Sequence, residues 1–233
     1  MNSPGLRFVG AALIMLLGIW AGSRLYWVRN AQYHRGVPVP AGQASVPDPR
    51  DASPDAPGSA VPHAVVPDLL PAFALSDLSG KPTSVSTWNG KSLVINFWAT
   101  WCAPCRREMP LLETLASEWA DRGIVVVGVA VDYPDKVKEF AGRFNIDYPL
   151  LVGEQDALDV AAKLGMNSPA FPFTVFADRS GEIVALFVGE LHRPQADLIL
   201  SVVQNLNQNR IQLPEAKQTI ARGLAKLAEQ ASG

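Results

Sequence analysis

Apolar and polar positions divide the chain into stretches of different pattern. Phe8 to Ser23 runs sixteen residues without a charge. Gly36 to Pro67 has no apolar period and no aromatic residue, and holds eight prolines in 32 positions. From Asp68 onward, short apolar runs alternate with segments of helical period. Leu93–Ala99 (LVINFWA) and Ile124–Val131 (IVVVGVAV) are near-continuous and β-branched, as strands buried on both faces are. Between them, Cys102 to Ala120 places Met109, Leu112, Leu115, Ala116 and Trp119 on one helical face. Further helices are predicted over Asp135–Phe144, Ala157–Leu164 and Pro194–Asn207, the last with Leu198, Val202 and Leu206 inward. A short strand is predicted over Pro149–Val152. Phe173–Ala177 and Ile183–Val188 read as strands joined by Asp178-Arg179-Ser180-Gly181, a turn with glycine at its end. Pro214–Gln230 reads as one more helix with the stripe Ile220, Leu224, Leu227. The order predicts an α/β fold whose sheet starts parallel and ends antiparallel.

The uncharged N-terminal stretch reads as a membrane anchor. If Arg24 snorkels to the interface, the span reaches Val28 and about 21 residues, enough for a bilayer core of about 30 Å. Trp20, Tyr26 and Trp27 then form an interfacial belt. A cleaved signal peptide ending at Ala21-Gly22-Ser23 is the competing reading. Both send the remainder of the chain across the membrane. Arg7 precedes the stretch, while Arg24, Arg29 and Arg35 follow it, and that charge bias alone favours the reverse orientation. The organisation expected is an anchor over 1–35, a proline-rich polyproline-type linker over 36–67, a globular domain over 68–207 and a helical extension over 208–233.

Composition narrows the functions. The chain has 233 residues, is 48% hydrophobic and carries a net charge of −2. It has enough apolar content for a core, and it lacks the basic excess of a general nucleic-acid binder. Its two cysteines, Cys102 and Cys105, exclude a disulfide scaffold and any four-cysteine metal site within the chain.

Trp101-Cys102-Ala103-Pro104-Cys105 sits where a buried strand gives way to a helix. Two-residue spacing there lets the sulfurs come within disulfide range. The first cysteine faces the free N–H groups and positive dipole end of the helix, which stabilise a thiolate. Cys102 is therefore the expected nucleophile. Cys105, one turn inside, is expected to be more buried and to resolve the mixed disulfide by attack on the Cys102 sulfur. Half of a zinc site and a structural disulfide are the other readings. Zinc needs two more ligands, and the histidines available are His34, His63 and His192, the first two in or before the linker.

Asn96-Phe97-Trp98-Ala99-Thr100-Trp101-Cys102-Ala103-Pro104-Cys105 resembles the active-site region of thioredoxin-fold proteins. Over about Pro71 to Leu206 the chain resembles the membrane-anchored TlpA/ResA-like thiol–disulfide oxidoreductases, including an extra helix-and-strand insertion at about Tyr133 to Met166. The resemblance implies a thioredoxin-like fold with a mixed central sheet flanked by helices. It also implies a catalytic domain on the periplasmic side of a bacterial inner membrane, anchored through residues 8–28. Pro110 matches a proline that kinks the active-site helix. Phe171-Pro172-Phe173-Thr174 matches the family's cis-proline loop, so Pro172 is expected to be cis. Phe171, Pro172 and Trp101 are then expected to contact the substrate. Asn96 stands where thioredoxin itself has a buried acid, and a neutral amide cannot take a proton from Cys105. Glu108 matches an acid that handles protons and shapes the substrate cavity in ResA-like proteins. An acid favoured by the helix dipole is the plainer reading. Arg106 and Arg107 either steer acidic partners or are simply solvated.

The expected function is reduction of disulfides in extracytoplasmic clients, in cytochrome c or metal-site assembly, with electrons from a membrane thiol carrier. No cofactor beyond the Cys102–Cys105 pair and no metal are expected. An oxidase on the same fold is the alternative in direction. A Sco-like copper chaperone uses CxxxC spacing and a distant histidine, and the CxxC here argues against it. A peroxiredoxin needs P-x-x-x-T-x-x-C, and counting back from Cys102 gives Ala99 and Ile95 instead.

Overall fold

The computed structural model describes residues 66–167 and 170–232. The expected anchor and nearly all of the linker lie outside the described residues. Among those described, no helix is long and apolar enough to cross a membrane.

The strands and helices, in chain order, begin with β1 (Ala74–Asp77) and β2 (Pro82–Ser84), then β3 (Ser92–Trp98), α1 (Ala103–Trp119), β4 (Ile124–Val131), α2 (Pro134–Phe144) and β5 (Leu150–Gly153). They continue with α3 (Gln155–Lys163), β6 (Phe173–Ala177), β7 (Ile183–Val188), α4 (Arg193–Asn207) and α5 (Leu213–Ser232). The strands form one sheet in the order β2-β1-β5-β4-β3-β6-β7. β3, β4 and β5 are parallel neighbours, whereas β6 and β7 run antiparallel. The expected parallel-to-antiparallel sheet is therefore present. It also has a second antiparallel flank, because β1 pairs antiparallel with β5 and with β2. The inserted elements are α2, β5 and α3, and β5 joins the sheet beside β4.

Every residue of β3 is buried, and its side chains alternate between two cores. Val94 and Trp98 face a core shared with α1, α2, α4 and α5. Ile95 and Phe97 face a second core with α3 and the Phe73–Val85 segment. Strands covered on both faces carry apolar residues at nearly every position, which is why β3, with Asn96 as the polar residue inside its run, and β4 read as near-continuous runs. Within α1, Met109, Leu112, Leu115 and Trp119 are buried as the period predicts. Helix α1 runs through Pro110 without a break. In α4 the buried positions are Ala196, Ile199, Leu200, Val202 and Val203; of the expected stripe, Val202 is buried and Leu206 packs half-buried against the same core, while Leu198 departs from it. Leu198 instead lies against Gly223 of α5, where no Cβ interposes. Helix α5 docks on α4 and β7, burying Ala216 and Ile220.

Gly128 of β4 lies beneath Trp98, Tyr148 and Leu150. A Cβ placed there meets Trp98 Nε1 and a Tyr148 ring carbon, each at 3.1 Å, and a Leu150 methyl closer still. Overpacking of this kind costs about 1–3 kcal/mol. Gly128→Ala is expected to lower the urea midpoint accordingly without changing the slope. An unchanged midpoint would mean that the three side chains give way freely.

The register also sets the poles of the domain. Ser92 pairs with Ile124 at one end of β3, and Trp98 pairs with Ala130 at the other. The chain enters the domain at the Ser92 end. There Ile183 N–H donates to the Asp68 carbonyl (2.7 Å) and Leu70 N–H to the Gly181 carbonyl (2.8 Å). The CxxC follows Trp98, so the entry point and the cysteines lie about 20 Å apart, the length of a seven-residue strand.

Candidate active site

Cys102 and Cys105 close a disulfide at the N-terminus of α1 (S–S 2.01 Å). Cys102 is the N-cap, with extended backbone (φ −79°, ψ 109°), and its sulfur accepts a hydrogen bond from Cys105 N–H (3.3 Å). This is the place where helix N–H groups and the dipole favour a negative sulfur. Cys105 is fully buried, and Cys102 retains 5% exposure. The order of burial is the one expected for a nucleophile and a resolving cysteine.

The loop before the pair is held by Asp132 at the end of β4. One of its carboxylate oxygens accepts from the Thr100 N–H (3.2 Å) and the Thr100 hydroxyl, and the other from Tyr133 N–H (2.8 Å). Trp101 projects from this loop and is 66% exposed. Its ring meets Phe171 edge-on at 6.1 Å, and Phe171 stacks on Phe173 at 6.2 Å. The Phe171–Pro172 peptide is cis, as expected. Gly189 N–H donates to the Pro172 carbonyl (2.9 Å), tying this loop to the end of β7. Among the described residues, nothing takes the backbone N–H and C=O of Phe171.

Glu108, one turn past Cys105, is buried at 1% exposure. Its Oε1 accepts from Asn96 Nδ2 (2.8 Å), and its Oε2 accepts from Leu191 N–H (2.8 Å). Asn96 Nδ2 also donates to Thr174 Oγ1 (3.0 Å). Burial pushes the Glu108 carboxyl up to about 7, and the two donors only partly offset that rise. Asn96 thus does more than lack an acidic proton. It holds Glu108 from β3, while Leu191 holds it from the loop before α4. The sequence reading missed Leu191 and Thr174. The one polar residue inside the apolar run of β3, Asn96, was the available signal.

The two arginines after the pair differ. Arg107 forms an ion pair with Glu190, which lowers the Glu190 pKa. The Arg106 guanidinium is exposed and has no ion-pair partner among the described residues. His192 is the N-cap residue of α4 and makes no side-chain cap bond. Among the described residues, no three His, Cys, Asp or Glu side chains converge as a metal site.

The sequence profile of the Redoxin family matches residues 65–200. The thiol-disulfide oxidoreductase ResA of Geobacillus kaustophilus is 32% identical over 135 residues, covering 58% of this chain and 75% of the relative. The thioredoxin-like protein YneN of Bacillus subtilis is 34% identical over 131 residues, covering 54% of this chain and 74% of the relative. A crystal structure of a thioredoxin-family thiol:disulfide interchange protein from Chlorobium tepidum superimposes with a TM-score of 0.54 at 29% identity. It covers 60% of this chain and 98% of that one. With a disulfide at a helix N-terminus, a cis-proline loop whose Phe171 meets Trp101, and these relatives, the chain belongs to the Redoxin family, among its ResA-like thioredoxin-fold thiol–disulfide oxidoreductases.

Proposed function

We propose that this oxidoreductase works as a reductase of extracytoplasmic clients, tethered to the bacterial inner membrane through residues 8–28. The clients are proteins whose cysteine pairs must be kept reduced for cytochrome c or metal-site assembly. The observation that carries the reading is the N-cap position of Cys102, with Cys105 buried behind it and Glu108 beside Cys105 on the same helix face.

In the reduced protein the Cys102 thiolate attacks one sulfur of a client disulfide. The client's S–S bond breaks, one client thiolate leaves, and a Cys102–client disulfide forms. Cys105 then gives its proton to Glu108 and attacks the Cys102 sulfur. The second client thiolate leaves, and the Cys102–Cys105 disulfide closes. Two electrons have passed from the dithiol to the client, and the protein is then reduced again by a membrane dithiol donor. Trp101 and Phe171 form the apolar wall beside Cys102, and the unpaired Phe171 backbone offers a client strand a donor and an acceptor. Entry of the chain at the pole opposite the cysteines supports a tether that leaves the active site free. The 32-residue linker would then set its reach from the bilayer, up to about 100 Å if fully extended.

The test is the reduction potential of the pair, measured on the full chain in detergent against defined thiol buffers. A reductant is expected near or below about −250 mV. A value near about −120 mV would reverse the direction and make the protein a disulfide donor.

A further inference from the structure

We propose that the cleft between the start of α1 and helix α2 receives the client chain flanking its reacting cysteine, and that it selects clients with a carboxylate two or three residues away. This rests on the exchange reaction placed above at Cys102.

Sheet order gives the path. β3 lies between β4 and β6, so Cys102 stands above the middle strand. Phe171 and Pro172 lead into β6 on one side, and Tyr133 and α2 follow β4 on the other. Neighbouring strands are about 4.8 Å apart, so the crossing from β6 to β4 is roughly 10 Å, or about three extended residues. A client strand that lies along Phe171 with its sulfur over Cys102 therefore delivers its next two or three residues to the α2 side.

Two adjoining cavities open there, of about 250 and 450 Å³, and both are lined by Arg106 and Phe144. The smaller one also has Lys136, Glu139 and Arg143 on its walls. Arg143 pairs with Glu139, and Lys136 sits 4.9 Å above the Tyr133 ring, a contact that leaves its charge uncompensated. With Arg106 unpaired as well, the smaller cavity carries three cations against one carboxylate. The apolar component is anchored. Phe144 is 52% exposed, yet its ring contacts Phe140 at 4.4 Å, and Phe140 contacts the buried Trp98 at 5.3 Å. Exposed cations beside a fixed aromatic surface complement a carboxylate next to an apolar side chain. A basic segment would meet like charge.

The test uses the full chain, reduced, and three synthetic peptides. Each carries one cysteine as a disulfide to the same leaving thiol, and they differ in having Asp, Asn or Lys two positions from it. Second-order rate constants are expected to fall in the order Asp, Asn, Lys, by about tenfold between the ends at low salt and by less at high salt. R106E is expected to invert the order, whereas R107Q, changed on an arginine that faces Glu190, is expected to leave it. Dividing by the Asn-peptide rate removes any general change in Cys102 reactivity. Equal rates for the three peptides, or an order that R106E does not change, would overturn the proposal. Failure to reduce any peptide would overturn the exchange reading beneath it instead.

Discussion

Cys105→Ser is expected to convert the protein into a trap that accumulates a covalent one-to-one disulfide with its clients, whereas Cys102→Ser is expected to form none. The asymmetry follows from position. Cys102 caps α1, where Cys105 N–H already donates to its sulfur and the helix dipole favours a thiolate. Cys105 is fully buried, so a client disulfide cannot approach it from solvent. Without Cys105 the first exchange still proceeds, but nothing within reach attacks the Cys102 sulfur, and the mixed disulfide persists. Without Cys102 the buried thiol has no access to a client, and turnover falls to the uncatalysed background. The measurement is non-reducing electrophoresis of each full-length variant purified from detergent-solubilised cells, with mass spectrometry of the adducts. Equal adduct yields from both variants would remove the assignment of nucleophile and resolving cysteine. The same adducts would name the clients, and so test whether they carry the paired cysteines of cytochrome c or metal-site assembly.

The sequence showed most where burial was complete. β3 and β4 are covered on both faces, so their apolar runs are near-continuous and their limits in the structure lie within a residue of those read from the chain. β1 and β2 were missed for the opposite reason. Within them only Leu75 is buried, and Ala74, Pro82 and Thr83 are polar, small or exposed in no period. The one departure in the α4 stripe has a tertiary cause, since Leu198 lies against Gly223 of α5. At the site, the cysteines are three positions apart and carry a local signature. The cis-proline came from resemblance, because the sequence by itself favours trans at any X-Pro bond. Of the partners of Glu108, Asn96 shows as the polar residue inside an apolar run, but Leu191 had no local signature. Leu191 reaches it from 83 residues away through a backbone N–H, a group that every residue but proline possesses. The groove at Arg106 was legible only as two adjacent arginines. The structure separates them by pairing one with Glu190 and leaving the other open.

Glu108→Gln is expected to slow resolution of the mixed disulfide by about a hundredfold near neutral pH, at the lower end of what a positioned proton acceptor contributes. In the parent protein the rate of resolution should rise with pH through about 7, where the buried carboxyl ionises and becomes able to accept the Cys105 proton. In the glutamine variant that rise should move to higher pH, because the buried Cys105 thiol must then lose its proton unaided. Stability provides an independent measurement with its own sign. The carboxyl titrates higher when folded, about 7 against an ordinary 4.5. Below the lower value it is protonated in both states, and the stabilisation from its raised pKa is complete. Between the two values the unfolded chain releases the proton while the folded chain keeps it, so stability falls as pH rises through this window. The loss is on the order of 3 kcal/mol at most. Above about 7 the slope ends. Glu108→Gln should remove this component of the slope in urea titrations of the oxidised protein. Asn96→Ala, which deletes a donor that favours the ionised form, should carry both the rate profile and the stability window to higher pH. A glutamine variant with the parent's pH–rate profile would show that Glu108 is only a buried strut between α1, β3 and the loop before α4. A shifted rate profile together with a flattened stability slope would place the same carboxyl in both the fold and the proton path.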